Sequence, residues 1–210
     1  MDSDLEKPRT RSERIARIIS LLTISPFQIV VYMAFADIIC NTILQEFLLN
    51  TISGVFYLLI PFIPLIYIIR KKNVRNASIP VEDRFHLFPI QISGFVGASL
   101  VYFFYQNFAG LDAMILFVFT VGYTILTVIC FIITMGLKFK ISLHMTGAAS
   151  SITALIIILG GWWGLLYLFC IPIAWARVKV EAHTELQVLS GTILGIATIF
   201  LTFLCFGYII

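Results

Sequence analysis

With 210 residues, 60% hydrophobic and 12% charged side chains and a mean hydropathy of +1.01, the chain is not a soluble globular domain. The net charge of +3 is small, and no nucleic-acid partner is expected. Four cysteines, Cys40, Cys130, Cys170 and Cys205, all fall inside apolar runs without metal or disulfide spacing and read as small packing residues.

The first segment, 1–26, mixes acids with bases, unlike a cleavable leader. Arg11, Arg14 and Arg17 recur at helical spacing beside Ile15, Ile18, Ile19 and Leu22, which predicts an amphipathic helix on the cytoplasmic surface. Residues 27–210 then form one membrane-embedded domain with seven apolar runs: 27–46, 50–69, 88–107, 112–136, 144–160, 162–177 and 186–209. Each approaches the ~20 residues a helix needs to cross the hydrocarbon, the fifth and sixth being short. The runs do not alternate as barrel strands do, so the fold class is all-α, a polytopic transmembrane bundle of six to seven spans. The count drops to six if a re-entrant hairpin forms at Gly160-Gly161.

Asp37 reads as deep in the first span, where a charge is expensive; a protonated Asp37 bonded to Asn41 one turn on is the expected solution. Pro61, Pro64 and Pro172 predict kinks. The sizeable polar stretch between spans is 70–85, and Ser78-Ile79-Pro80 stops any helix there. Glu82-Asp83-Arg84 follows, where a helix N-terminus favours acidic groups. Gly147 to Ser151 and the Gly191/Gly195 pair place small residues at close-packing spacing, so the fifth and seventh spans should touch near their cytoplasmic ends.

With these spans, all fourteen Lys and Arg residues fall on one side, as do His86, His144 and His183. The outer connections carry Glu46 and Asp112 but no base, and Trp162 and Trp163 fit an interfacial belt there. Retention of basic loops makes the N-terminus cytoplasmic. Topology alone accounts for most of these charges.

Two segments on that side could carry chemistry: Lys138 to His144, entering the fifth span, and Ala176 to Gln187, entering the seventh. Together they offer two imidazoles, His144 and His183, with Arg177, Lys140 and Lys138 as cations. That set suits phosphoryl transfer, where positioning and charge stabilisation dominate.

Here the chain resembles the type 2 phosphatidic acid phosphatase superfamily. Arg177, His183 and Val188-Leu189-Ser190-Gly191 stand at the spacing of that family's last motif, and Ile141-Ser142-Leu143-His144 is similar to its middle one. The resemblance covers 138–191. It implies His183 as nucleophile forming a phosphohistidine, His144 as the acid for the leaving alcohol, and Arg177 as phosphate clamp. Lys140, Lys138, Ser142 and Arg84 join it as further substrate-binding residues. The family's orienting Asp is Gln187 here, within reach of His183 on a helix. Glu181 and Glu185 lie on other faces. The Ser before the family's Arg is Ala176, and its first motif has no recognisable counterpart.

The expectation is an integral, multi-pass membrane phosphatase or phosphotransferase, in the cell membrane with its site on the cytoplasmic side. Its partners are membrane lipids and a phosphorylated lipid substrate, phosphatidic acid or a polyprenyl phosphate or diphosphate. No cofactor or metal is implied, since the sequence has no DxxxD pair or HExxH set. The alternatives are a non-catalytic relative that binds a lipid phosphate, and a small transporter.

Overall fold

The computed structural model describes residues 10–23, 26–72, 80–108 and 113–209. Expectations for Lys7, Arg9, Arg75 and Asp112 lie outside the described residues. All regular structure within them is helical: α1 (Arg11–Leu22), α2 (Pro26–Ile39), α3 (Ile43–Ser53), α4 (Ile60–Lys72), α5 (Val81–Phe108), α6 (Met114–Gly136), α7 (Leu143–Leu159), α8 (Cys170–Lys179) and α9 (Glu185–Cys205). A π-helical turn, Gly54–Leu59, joins α3 to α4 without a break, and a 3-10 segment, Gly161–Phe169, leads into α8.

Among the described residues four stretches are long and apolar enough to cross a membrane: Val81–Phe108, Met114–Gly136, Gly161–Lys179 and Glu185–Cys205. Val30–Ile39, Ile43–Leu59 and Leu143–Leu159 are shorter apolar helices. Large apolar side chains such as Leu100, Phe104, Leu165, Ile171 and Leu201 stand exposed around them. So much exposed hydrocarbon suits lipid and not water. The chain is a membrane protein.

The first apolar run is divided differently from the sequence expectation. Instead of one helix over 27–46, α2 stops at Ile39, and α3 opens at Thr42, whose hydroxyl accepts from the Gln45 N–H at 3.2 Å. The Gln45 amide oxygen reaches back to the Asn41 N–H at 3.1 Å. This capping chemistry satisfies donors that apolar continuity would have left open. Glu46, expected in an outer connection, is therefore helical. Asp37 lies exposed in the last turn of α2, and the expected Asp37–Asn41 bond is absent among the described residues.

The proline expectations resolve locally. Pro64 is accommodated inside α4 downstream of the π-helical turn, and such turns re-satisfy a ladder that proline interrupts. Pro172 falls in the first turn of α8, where its missing N–H costs little.

Two helix pairs frame the molecule, α5 with α6 and α7 with α9. Gly191 and Gly195 make the second pair possible. A Cβ on Gly191 would meet the Ser142 carbonyl at 2.8 Å, and one on Gly195 the Thr146 carbonyl at 2.6 Å. Backbones this close require the small-residue pattern. α1 lies against α8, with Ala16 packed among Ala176, Val180 and Ala182, while Ile15, Ile18, Leu21 and Leu22 face outward.

The core between α2, α3, α5 and α6 is aromatic, with Tyr32, Phe35, Tyr57, Tyr102 and Phe119 almost fully buried. Its hydroxyls close on one another. Thr120 donates to the Leu116 carbonyl at 2.7 Å and accepts from both Tyr57 and Tyr32. Ser53 pairs with Tyr102 at 2.5 Å, and Ser150 donates to Tyr123 at 2.6 Å while Tyr123 reaches the Gly147 carbonyl at 2.9 Å. Buried polar groups are affordable only when satisfied in this way.

Candidate functional site

The turn between α8 and α9 positions the first candidates. α8 ends in a reversal in which the Ala182 N–H returns to the Arg177 carbonyl (3.1 Å) and the Glu181 N–H to the Val178 carbonyl (2.9 Å). This paired pattern is a Schellman close, which needs a left-handed residue just past the cap; Glu181 takes that role at φ 55°. The His183 N–H also reaches the Arg177 carbonyl, at 3.2 Å. Clamp and nucleophile candidates are thus tied through one backbone oxygen. Thr184 then caps α9 in a reciprocal box with Gln187.

Three other helix ends meet this turn. The link between α6 and α7 turns through Lys138 at φ 51°, and its carbonyls are taken in sequence: His183 Nδ1 lies 3.1 Å from the Lys140 oxygen, and Arg84 Nη1, from the first turn of α5, 2.9 Å from that of Ile141. The Ser142 N–H bonds the Gln187 carbonyl at 3.3 Å. α1 closes the group from its C-terminal end. Arg177 Nη1 donates to Ser20 Oγ, and His144 Nε2 lies 3.1 Å from the Ser20 carbonyl.

The structure therefore brings together Arg84, Lys140, Ser142, His144, Arg177, His183 and Gln187. Arg177 is 1% exposed, Arg84 4% and His183 6%. The charges of Arg84, Arg177 and Lys140 all act on His183, and those of Arg177 and Arg84 on His144. Lys138 is exposed, and its charge is not among those acting on His183 or Lys140. His86 also stands apart, exposed with its ring edge-on to Phe85. Glu181 and Glu185 are exposed, and neither holds the His183 ring.

The His183 hydrogen bonds fix its tautomer. A carbonyl only accepts, so Nδ1 carries the proton; it is shared between the Lys140 oxygen and Gln187 Oε1 at 3.2 Å. Nε2 is then the basic nitrogen, and it is buried with no hydrogen-bond partner among the described residues. Burial, followed by Arg84, Arg177 and Lys140, pushes the His183 pKa down to about 3, against a smaller upward pull from Gln187. The ring is neutral at pH 7. Burial, with Arg84 and Arg177 behind it, lowers Lys140 to about 8, and Glu82 partly offsets this. Ser142, wholly buried at the N-cap of α7, does not use its hydroxyl as a cap, and that oxygen also lacks a partner.

Two further contributions complete the cluster. Thr184-x-x-Gln187 is a capping-box signature, visible in the sequence, that gives Gln187 a structural duty beside its bond to His183. Ser20 had no local signal. Only the docking of α1 on α8 brings it to Arg177.

Beside His144 a small cleft of about 90 Å³ runs between the helices past Gln28, Tyr123, Leu126, Thr127 and Thr146. Among the described residues no group of three His, Cys, Asp or Glu is placed to hold a metal ion. In comparisons with known proteins no family model, no curated protein and no solved structure matches the chain.

Proposed function

We propose that the chain is a seven-span membrane enzyme, N-terminus in the cytoplasm, that transfers the phosphoryl group of a phosphorylated lipid alcohol through a phosphohistidine on His183. The observation that carries this reading is the state of that imidazole: neutral, its Nδ1–H anchored by Lys140 and Gln187, its Nε2 buried and without a partner among the described residues, and three cations around it. A pre-oriented lone pair facing concentrated positive charge is what attack on a phosphate monoester requires.

In the proposed reaction the Nε2 lone pair forms a bond to phosphorus as the bond from phosphorus to the lipid oxygen breaks. Arg177, Arg84 and Lys140 take up the charge on the nonbridging oxygens. His144 Nε2 faces the Ser20 carbonyl and so carries a proton. The negative charge of the bound phosphate favours a second proton on this ring; the Nε2 proton then passes to the departing alkoxide and leaves a neutral imidazole. Water then attacks the phosphohistidine and gives its proton to His144, yielding inorganic phosphate and restoring both rings; an alcohol in place of water would make the same chemistry a phosphotransfer. The apolar exterior favours a lipid as the alcohol. Similarity to type 2 phosphatidic acid phosphatases in the motifs around Arg177, His144 and His183 supports the same assignment.

A second reading rests on Gln187. Its amide oxygen serves His183 and the Thr184 N–H alike, and an amide stabilises an imidazolium less than a carboxylate does. A non-catalytic lipid-phosphate binder would have this feature too.

Phosphate release from phosphatidic acid and polyprenyl phosphates, in chelator-treated detergent solution, separates the two. Turnover by the wild type that is abolished in His183→Ala and reduced in His144→Ala is the enzyme's signature. Binding of these lipids without release by wild type, with release gained in Gln187→Glu, would instead identify the binder.

A further inference from the structure

The N-terminal helix touches the site through one residue, Ser20, and touches it twice. Ser20 is wholly buried. Its Oγ accepts from Arg177 Nη1, and its carbonyl lies 3.1 Å from His144 Nε2. The contact depends on the inner face of α1 being small: Ala16, one turn earlier, packs on Ala176, Val180 and Ala182, and a larger side chain at either position would hold the helices apart.

The hydroxyl is unusual in how it is used. Thr23, in the same segment, donates its proton to the Ile19 carbonyl at 2.8 Å, and Ser53, Ser99 and Thr202 make the same bond one turn back in their own helices. Ser20 makes no such bond. A serine oxygen that accepts from a guanidinium still has its own proton to give, and no acceptor for that proton is present among the described residues. The group points at the anion-binding end of Arg177, where an acceptor would arrive with a ligand.

Resting on the phosphate reading above, we propose that Ser20 is a substrate-binding residue: its Oγ–H donates to a nonbridging oxygen of the phosphoryl group held by Arg177. Its carbonyl meanwhile keeps the proton-bearing Nε2 of His144 at the site. The hydroxyl comes from α1 because the residue preceding Arg177, Ala176, has none to offer. A single group spanning clamp and acid makes the first helix a wall of the site and not merely an anchor to the membrane surface.

The test is binding of inorganic phosphate and of soluble dihexanoyl phosphatidic acid to the full chain in detergent, by calorimetry. Wild type, Ser20→Ala, Arg177→Lys and the double variant are compared, with Ile18→Ala on the outward face of α1 as control. Loss of one charge-assisted hydrogen bond predicts affinity about tenfold weaker in Ser20→Ala. The double variant should be little worse than Arg177→Lys, because the two groups act on one ligand. Ile18→Ala should bind like wild type. Ser20→Cys, nearly the same size and a poor donor, should match Ser20→Ala and serves if the alanine variant does not fold. Wild-type affinity in either variant, or fully additive losses in the double variant, would overturn the assignment of Ser20. Absence of binding by the wild type itself would sink the phosphate reading beneath it. Weaker dihexanoyl phosphatidic acid binding with unchanged inorganic phosphate binding would place Ser20 on the lipid, against the proposal.

Discussion

Two buried polar regions lie within one helical bundle, and they obey opposite rules. In the aromatic core, the side-chain hydrogen bonds of Tyr32, Tyr57, Tyr102, Tyr123, Ser53, Ser150 and Thr120 among the described residues end on other groups of the core. At the helix ends around His183, the Nε2 of that residue, the Nε of Arg84 and the Oγ of Ser142 are equally buried and have no partner among the described residues. Both regions carry desolvated polar atoms; only one satisfies them within the described residues. A closed network stabilises the fold, and an open one is held in place by the rest of the fold for use.

Substitutions can break this contrast, beginning with the largest expected effect. Arg177→Met should cut phosphate release by about 10³-fold, the scale of losing a preorganised donor to developing charge. It should leave thermal stability little changed, because a buried cation contributes little net stability. Thr120→Val is the mirror case. It strands the Tyr32 and Tyr57 hydroxyls and should cost about 1–3 kcal/mol of stability, while phosphate affinity stays at the wild-type level. If Thr120→Val damaged binding as much as Arg177→Met, the division into two regions would be wrong.

Acidity sharpens the comparison further. An unfolded histidine titrates near ~6.5, whereas His183 in the fold is held at about 3. Between those values the unfolded chain takes up a proton that the folded chain refuses. Stability is therefore full above the unfolded value and falls as pH drops toward 3. Denaturation profiles of wild type and His183→Gln should show that slope shrinking in the variant. Lys140, at about 8, works at the other end of the scale. Its charge attracts phosphate below that pH and fades above it, so affinity should decline as pH rises through 8, and Lys140→Met should flatten the decline. The smallest effect is expected at the turn. Glu181→Gly relieves a left-handed non-glycine residue and should stabilise by about 1 kcal/mol without altering binding.

Much of this arrangement is legible in the sequence because it rests on local or periodic signals. The apolar runs locate the helices, and Gly191 and Gly195 announce the close approach of α9 to α7. The spacing from Arg177 to His183 to Gln187 survives because a turn and a cap fix it. What escaped depends on competition or on distant docking. Thr42 and Gln45 end an apolar run early because a satisfied helix start outweighs continuity of hydrophobic residues. Lys138 and Lys140 look equivalent in the chain, yet the left-handed turn at Lys138 leaves one outside and half-buries the other. Ser20 has no motif of its own, and its place follows from an alanine face on α1 finding another on α8.

The bond between Ser20 and Arg177 joins groups 157 residues apart, and His183 comes later still. A ribosome feeding this chain into a bilayer would release the first wall of the pocket long before its last. No truncated product lacking the final hairpin holds both Arg177 and the reactive ring. The cluster is complete only once Gln187 has been made, so a chain stopped before His183 lacks both the ring and the amide that orients it.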